Sequence, residues 1–282
     1  MGVYIIRRVL GLIPVLILVA VVSFLLIHII PGDPAAVMLG TDATPQEVEK
    51  LREDLGLNEP LHVQFYRWIS RVLRGDLGDS FFMGRPVTVA LLERLPATIL
   101  LAVAALFFAV LIGVPAGIIA AIKQNSIIDQ LVMIIALIGV SLPSFWIGLN
   151  LILVFSVALR WLPSGGYVPL TENFFDGLRC LLMPAFALGF MQAALIARMT
   201  RSSMLEVLRQ DYIRTARSKG LSERVVVGLH ALKNAMIPIL TVIGTAFGVL
   251  LGGAVIVETV FAYPGIGRLV VSAVQRRDYP VI

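Results

Sequence analysis

The residues of this chain that could do chemistry cluster in one basic stretch, and their types suit docking rather than bond-making. Between Arg198 and Ala235 stand Arg198, Arg201, Arg209, Arg214, Arg217, Lys219, Arg224 and Lys233 against Glu206, Asp211 and Glu223, with DYIRTARSKG, Asp211 to Gly220, at the centre. Leu205, Leu208, Tyr212 and Ala216 recur at helical spacing, which predicts an amphipathic helix over Ser203 to Lys219. Gly220 ends it. Ser222 can cap a second helix whose first turn holds Glu223 and which runs through Val225, Val226 and Leu229 toward Met236. Such an elbow, apolar on one face and basic on the other, fits a groove on a partner. The same charges also fix topology and meet anionic lipid, and charge alone does not separate these roles.

Bond-making chemistry finds no support. No G-x-x-x-x-G-K-[ST] occurs and no Gly is followed directly by Lys, so the usual means of binding ATP are absent. His28, His62 and His230 lie in different segments, with no Cys or carboxylate at metal spacing, and no metal site is expected. Cys180 is alone, which excludes an intramolecular disulfide and a cysteine cluster. Within the apolar runs, Asn150 and Gln192 must face a cavity or a neighbouring helix, because a polar group in hydrocarbon is costly. Pro143 and Pro184 can kink their helices and free carbonyls. Gly244, Gly248 and Gly252 repeat at four-residue spacing and lay down one smooth stripe, open to intrachain packing, to a companion subunit or to sliding along a pathway. In YPGIGR, Gly265 and Gly267 permit unusual backbone conformations and Pro264 fixes one φ, so a built turn follows Glu258.

The elements that position these residues are membrane helices. The chain is 58% hydrophobic and 15% charged, against roughly 25% charged in an ordinary soluble domain. Five runs, Val9 to Ile30, Ile99 to Ile122, Leu131 to Leu159, Leu181 to Ala197 and Met236 to Val257, are near or above the length needed to cross a hydrocarbon core of about 30 Å. The first is too long for a cleaved signal peptide and is read as a retained span. Arg7 and Arg8 place the N-terminus in the cytoplasm, and alternation puts the basic 198–235 loop on the same side. Topology therefore accounts for the net charge of +5 without nucleic acid. The expectation is an all-α polytopic transmembrane bundle, divided as 1–30, the first span; 31–98, an external partly helical segment; 99–258, the core with its loop; and 259–282, an external loop. Five spans would leave the C-terminus outside, so a sixth span is expected beyond Ile282.

In the external segment, Thr44 can cap a helix with Pro45 at its first position and Glu47 in its first turn, stopped by Gly56. A second helix places Phe65, Ile69 and Val72 on one face and closes at Gly75.

The run YIRTARSKGLSERVVVGLHALKNAMIP closely resembles the loop by which permease subunits of the dipeptide and oligopeptide ATP-binding-cassette importers engage their ATPases. Where the general importer pattern has Glu-Ala-Ala ahead of a Gly, Arg214, Thr215 and Ala216 stand before Gly220, as in the peptide-importer branch. Ile237 and Pro238 sit farther from Gly220 than in the general pattern. LPGDP-like residues at Ile30 to Pro34, LGLNEPLHVQFYRW at Leu55 to Trp68, RGDLGDS at Arg74 to Ser80, LPATILL at Leu95 to Leu101, SLPSFWIG at Ser141 to Gly148 and VETVFAYPGIGRL at Val257 to Leu269 carry the resemblance along the whole chain. In that family a last membrane helix follows the DYPV tetrapeptide, which agrees with the span count.

The resemblance implies a type I importer permease fold in a bacterial inner membrane, with a homologous second permease and an extracytoplasmic substrate-binding protein. It also implies two cytoplasmic ATPase subunits that hold ATP and Mg, with no cofactor in this chain, and a peptide as substrate. Asp211, Tyr212, Arg214, Thr215, Ala216, Arg217, Lys219, Gly220, Ser222 and Glu223 would couple to the ATPases. Ser141, Pro143, Asn150, Gln192, Gly244 and Gly248 would belong to the pathway, and Asp76, Asp79, Glu258, Pro264 and Gly265 to the binding-protein side. Nickel and glutathione importers share these motifs. An ion-gradient-driven transporter would need charges within the spans, which hold none apart from Glu258 at one end.

Overall fold

A chain in hydrocarbon must satisfy its own backbone hydrogen bonds, and these apolar runs do so as helices. The computed structural model describes residues 2–29, 33–39 and 43–282, and the Ile30 to Pro34 motif lies largely outside them. In chain order the helices are α1 (Gly2–Ile29), α2 (Pro34–Leu39), α3 (Pro45–Leu55), α4 (Leu61–Leu73), α5 (Val87–Ile122), α6 (Ile127–Ser141), α7 (Ser144–Leu151), α8 (Phe174–Leu208), α9 (Asp211–Ser218), the single turn α10 (Glu223–Val225), α11 (Leu232–Val260) and α12 (Ile266–Arg276). π-helical turns extend α7 over Ile152–Ala158 and join α10 to α11 over Val226–Ala231.

Among the described residues, Ile5–Leu25, Val87–Ile122, Phe174–Leu208 and Glu223–Val260 are long and apolar enough to cross a membrane. The third expected span, Leu131 to Leu159, is not one rod: Ile127–Ser141 and Ser144–Ala158 meet at 103°. Pro143 has no N–H for the Gly139 carbonyl, and it pushes Leu142 into an extended conformation, φ −84° and ψ 129°. Pro184, by contrast, lies inside the unbroken α8. α5 begins at Val87, well before the expected start of the second span at Ile99.

The chain forms two compact units, Met1–Glu93 with Leu269–Ile282, and Arg94–Arg268. In the first, Thr44 and Glu47 close a reciprocal capping box on α3, and Gly56 ends that helix at φ 70°. Hydrogen bonds from the Thr44 N–H and hydroxyl hold the Glu47 carboxyl below its ordinary value of 4.5. Phe65 and Trp68 of α4 pack on Phe24 of α1. His28 of α1 spends its ring nitrogens on Phe24 O and Gln64 Oε1. Buried Ser80 donates to the buried Asp278 carboxylate, which also accepts from Phe81 N–H.

In the second unit α8 is the central element, with Leu181, Met183, Leu188 and Ile196 among its buried residues. The close helix crossings run through glycines that the span pattern did not single out. A Cβ at Gly113 or Gly117 would overlap the Ala193 or Ala197 carbonyl, and one at Gly189 would overlap that of Ala105. The Gly244, Gly248 and Gly252 stripe, by contrast, is open: among the described residues, a Cβ at any of the three meets no atom within 4 Å.

Candidate functional site

The basic loop is a folded ridge whose seating can be traced residue by residue. α8 ends at Leu208, the backbone turns at Arg209 and Gln210, and α9 begins at Asp211, so the single helix expected over Ser203 to Lys219 is two. The break rotates α9 so that Ile213 and Ala216 are its buried residues, while Tyr212, expected on the apolar face, is exposed. Ile213 is 0% exposed in a cluster with Met204, Val226, Ala235 and Ile239, and burying such a side chain stabilises by about 1.5–3 kcal/mol. Tyr212 is held instead through its hydroxyl, which accepts a 2.8 Å hydrogen bond from Asn234 Nδ2.

Gly220 turns the chain at φ 78°, in the left-handed region that a side chain resists, with open space around it. Arg217 spans that turn, its Nε 2.7 Å from Glu223 Oε1. Ser222 occupies the cap position of the next helix but its side chain makes no capping hydrogen bond, contrary to the expectation. That helix is the one-turn start of a continuous path through the π turn into α11, so the second arm of the elbow is the beginning of a membrane-length helix. What remains outward is Asp211, Arg214, Thr215, Lys219, Gly220, Leu221, Ser222 and Arg224, a mostly polar and basic knob on a fixed apolar base. This arrangement can grip a groove on a partner and pass a displacement straight into α11.

One anchor of this region was missed. Arg201 makes a bidentate pair with Asp129, Nη2 to Oδ2 2.7 Å, and Asp129 is 2% exposed and also accepts from Asn125 N–H. It ties the start of α6 to α8. Arg201 stood in the sequence only as one more topogenic charge, and nothing in the spacing pointed to Asp129.

The break between α6 and α7 borders a cavity of about 210 Å³. Ser141, Pro143 and Gln192 line it together with Met191, Leu250 and Gly253. Gln192 is 3% exposed and its amide meets no partner among the described residues. Its residue surface is otherwise covered, so the amide is a polar group that the cavity can offer to an occupant. Ser141 Oγ donates to Leu137 O in its own helix. Asn150 does not join the cavity, because its Nδ2 donates to Trp146 O one turn back. Gly244 and Gly248 lie elsewhere on α11, outside the lining.

Glu258, expected at an outward mouth, is 0% exposed. Its Oε1 accepts from the Thr98 hydroxyl at 2.7 Å and its Oε2 from Arg268 N–H at 3.0 Å, while Ile266 N–H donates to Thr98 Oγ1. Gly265 and Gly267 are buried against it. Neither has a positive φ; that role falls to Ala262 at φ 51°, and the glycines are needed because a Cβ at 265 would overlap the Glu258 carboxylate. Pro264 is half-buried. The turn is thus a clamp built around a carboxylate, with both Glu258 and Gly265 buried in it. Burial raises the Tyr263 phenol well above its ordinary value. Asp76 and Asp79 are exposed, and Asp76 Oδ1 caps Gly78 N–H.

The family described as "Binding-protein-dependent transport system inner membrane component" matches residues 113–282, and "Binding-prot-dependent transport system membrane comp, N-term" matches residues 1–104. The chain is similar to a putative peptide transport system permease protein of Brucella suis, 48% identical over 278 residues that cover 99% of this chain and 88% of that protein. It is 48% identical over 299 residues to the dipeptide transport system permease protein DppB of Alkalihalophilus pseudofirmus, covering 99% and 90%. It is 47% identical over 279 residues to the glutathione transport system permease protein GsiC of Escherichia coli, covering 99% and 89%.

Proposed function

Because this chain belongs to the family of binding-protein-dependent transport inner membrane components, we propose that it is one of two homologous permeases that import short peptides with two cytoplasmic ATPases and an extracytoplasmic binding protein. The observation that carries the coupling role is the knob around Gly220, outward on every polar side and continuous with α11. The N-terminus and this knob face the cytoplasm, as the positive charges favour. Closure of the ATPases on ATP moves the knob; the Arg217–Glu223 brace keeps the turn from absorbing the motion, and α11 delivers it to the bundle. The chain itself supplies no hydrolytic chemistry.

Isolation of the membrane complex, with its binding protein and bound ligand identified by mass spectrometry, tests the reading. A short peptide bound and taken up with ATP by proteoliposomes is the expected result. A sugar or metal complex as the only cargo would overturn the peptide assignment, and uptake driven by an ion gradient without ATP would overturn the class. Glutathione is the second reading, favoured by the similarity to GsiC; as a tripeptide derivative it would use the same machinery.

A further inference from the structure

The broken span carries more chemistry than a bend. Where α6 ends and α7 begins, residues 140–144 form one wall of the cavity; Leu142 N–H still donates to Ile138 O and Pro143 O accepts from Trp146 and Ile147 N–H, while Pro143 has no N–H to offer the Gly139 carbonyl. Across from them stands the Gln192 side chain, 3% exposed and without a hydrogen-bond partner among the described residues. Among the described residues no Asp, Glu, Lys, Arg or His lines the cavity, and the rest of the wall is apolar, with Gly253 leaving one side low.

We infer that this cavity is a recognition subsite for an uncharged peptide group of the cargo, with the Gln192 side-chain carbonyl accepting from its N–H. The N–H and C=O of a trans peptide point in opposite directions, so one side-chain amide takes one of them, and the Gln192 oxygen supplies the acceptor that a peptide donor needs. The absence of any charged residue makes the site unsuited to a free ammonium or carboxylate, which would be desolvated there without a counter-ion. An internal peptide bond is therefore the part of the cargo that belongs in it. Recognition of the backbone alone suits a machine that passes peptides of differing side chains. The inference rests on the peptide reading proposed above and gives it a specific contact.

The test uses the whole complex in lipid vesicles with its binding protein preloaded with one of two tripeptides. One carries a diazirine side chain; the other is the same peptide N-methylated at both of its peptide amides, which removes both peptide N–H donors. Wild type is expected to import the parent about tenfold faster than the methylated peptide, and Gln192→Leu to import both at the slow rate. Photolysis of wild type during turnover is expected to label residues 140–144, 188–192 or 249–253. Equal handling of the two peptides by wild type, or label confined to other residues while uptake proceeds, overturns the subsite whatever the variant does. If wild type takes up no peptide at all, the peptide reading itself has failed, and the subsite with it.

Discussion

Truncating Glu258 should loosen the turn that follows α11, by an amount that can be worked out from its partners. The carboxylate is fully enclosed and accepts from the Thr98 hydroxyl and from Arg268 N–H. Glu258→Ala leaves two donors facing an apolar gap, and at about 1–3 kcal/mol for each unsatisfied buried group the loss is about 2–6 kcal/mol. The Thr98 hydroxyl also accepts from Ile266 N–H and can rotate, which places the outcome in the lower half of that range. Glu258→Gln keeps the volume and one acceptor but sets an NH2 against one of the two donors, so about one hydrogen bond is lost, roughly 1–3 kcal/mol. Equilibrium unfolding in mixed micelles should rank wild type above Glu258→Gln above Glu258→Ala. A double-mutant cycle with Thr98→Val should give a coupling energy of about 0.5–3 kcal/mol. If the two changes simply add, or if the alanine variant unfolds like wild type, the clamp does not exist as described.

Other expectations follow from contacts of the same kind. Gly117→Ala should lower stability by about 1–3 kcal/mol, since its Cβ meets the Ala197 carbonyl and the Thr200 Cβ, whereas Gly248→Ala in the isolated subunit should be silent; thermal melts showing the reverse order would contradict the packing. Asp129→Ala leaves Arg201 poorly exposed and unpaired, and should cost about 3–5 kcal/mol, read as faster hydrogen exchange in residues 123–135. Thr44→Ala should speed exchange in α3 about fivefold. Acidification should do the same to wild type: the Glu47 carboxyl is held low in the folded chain, so its contribution is present above the ordinary carboxylate value of 4.5 and is lost as pH falls through the lowered one. Thr44→Ala keeps the backbone N–H that is the larger cause and should show only a smaller acid response, whereas Glu47→Gln should show none.

Local signals were legible in the sequence and directions were not. Thr44, Pro45, Glu47 and Gly56 act within one helix, and the helix they predicted is present with both caps. The 103° break was hidden, because hydropathy sums apolar content without regard to direction. Pro143 is no distinguishing mark by itself, since Pro96, Pro115 and Pro184 lie in unbroken helices. The glycine stripes show the same limit: Gly113 and Gly117 have the spacing of Gly244 and Gly248, yet only the first pair has a neighbour. Which face receives a helix is decided by the rest of the bundle. Thr98 and Glu258 are 160 positions apart, and a carboxylate at a span end reads as exposed until that partner is known. In the basic loop the location was legible, but the rotation of α9 was not: Ile213 and Tyr212 are adjacent, and the break at Arg209 and Gln210 exchanged their faces.

ATP-dependent uptake by the reconstituted complex, measured beside its ATPase rate, tests the coupling role of the Gly220 knob most directly. In a variant combining Arg214→Glu, Arg217→Glu and Gly220→Pro, the account predicts that the membrane subunits still assemble with each other while the ATPases bind weakly and uptake falls by at least tenfold. Unchanged ATPase binding, stimulated hydrolysis and uptake in that variant would contradict it.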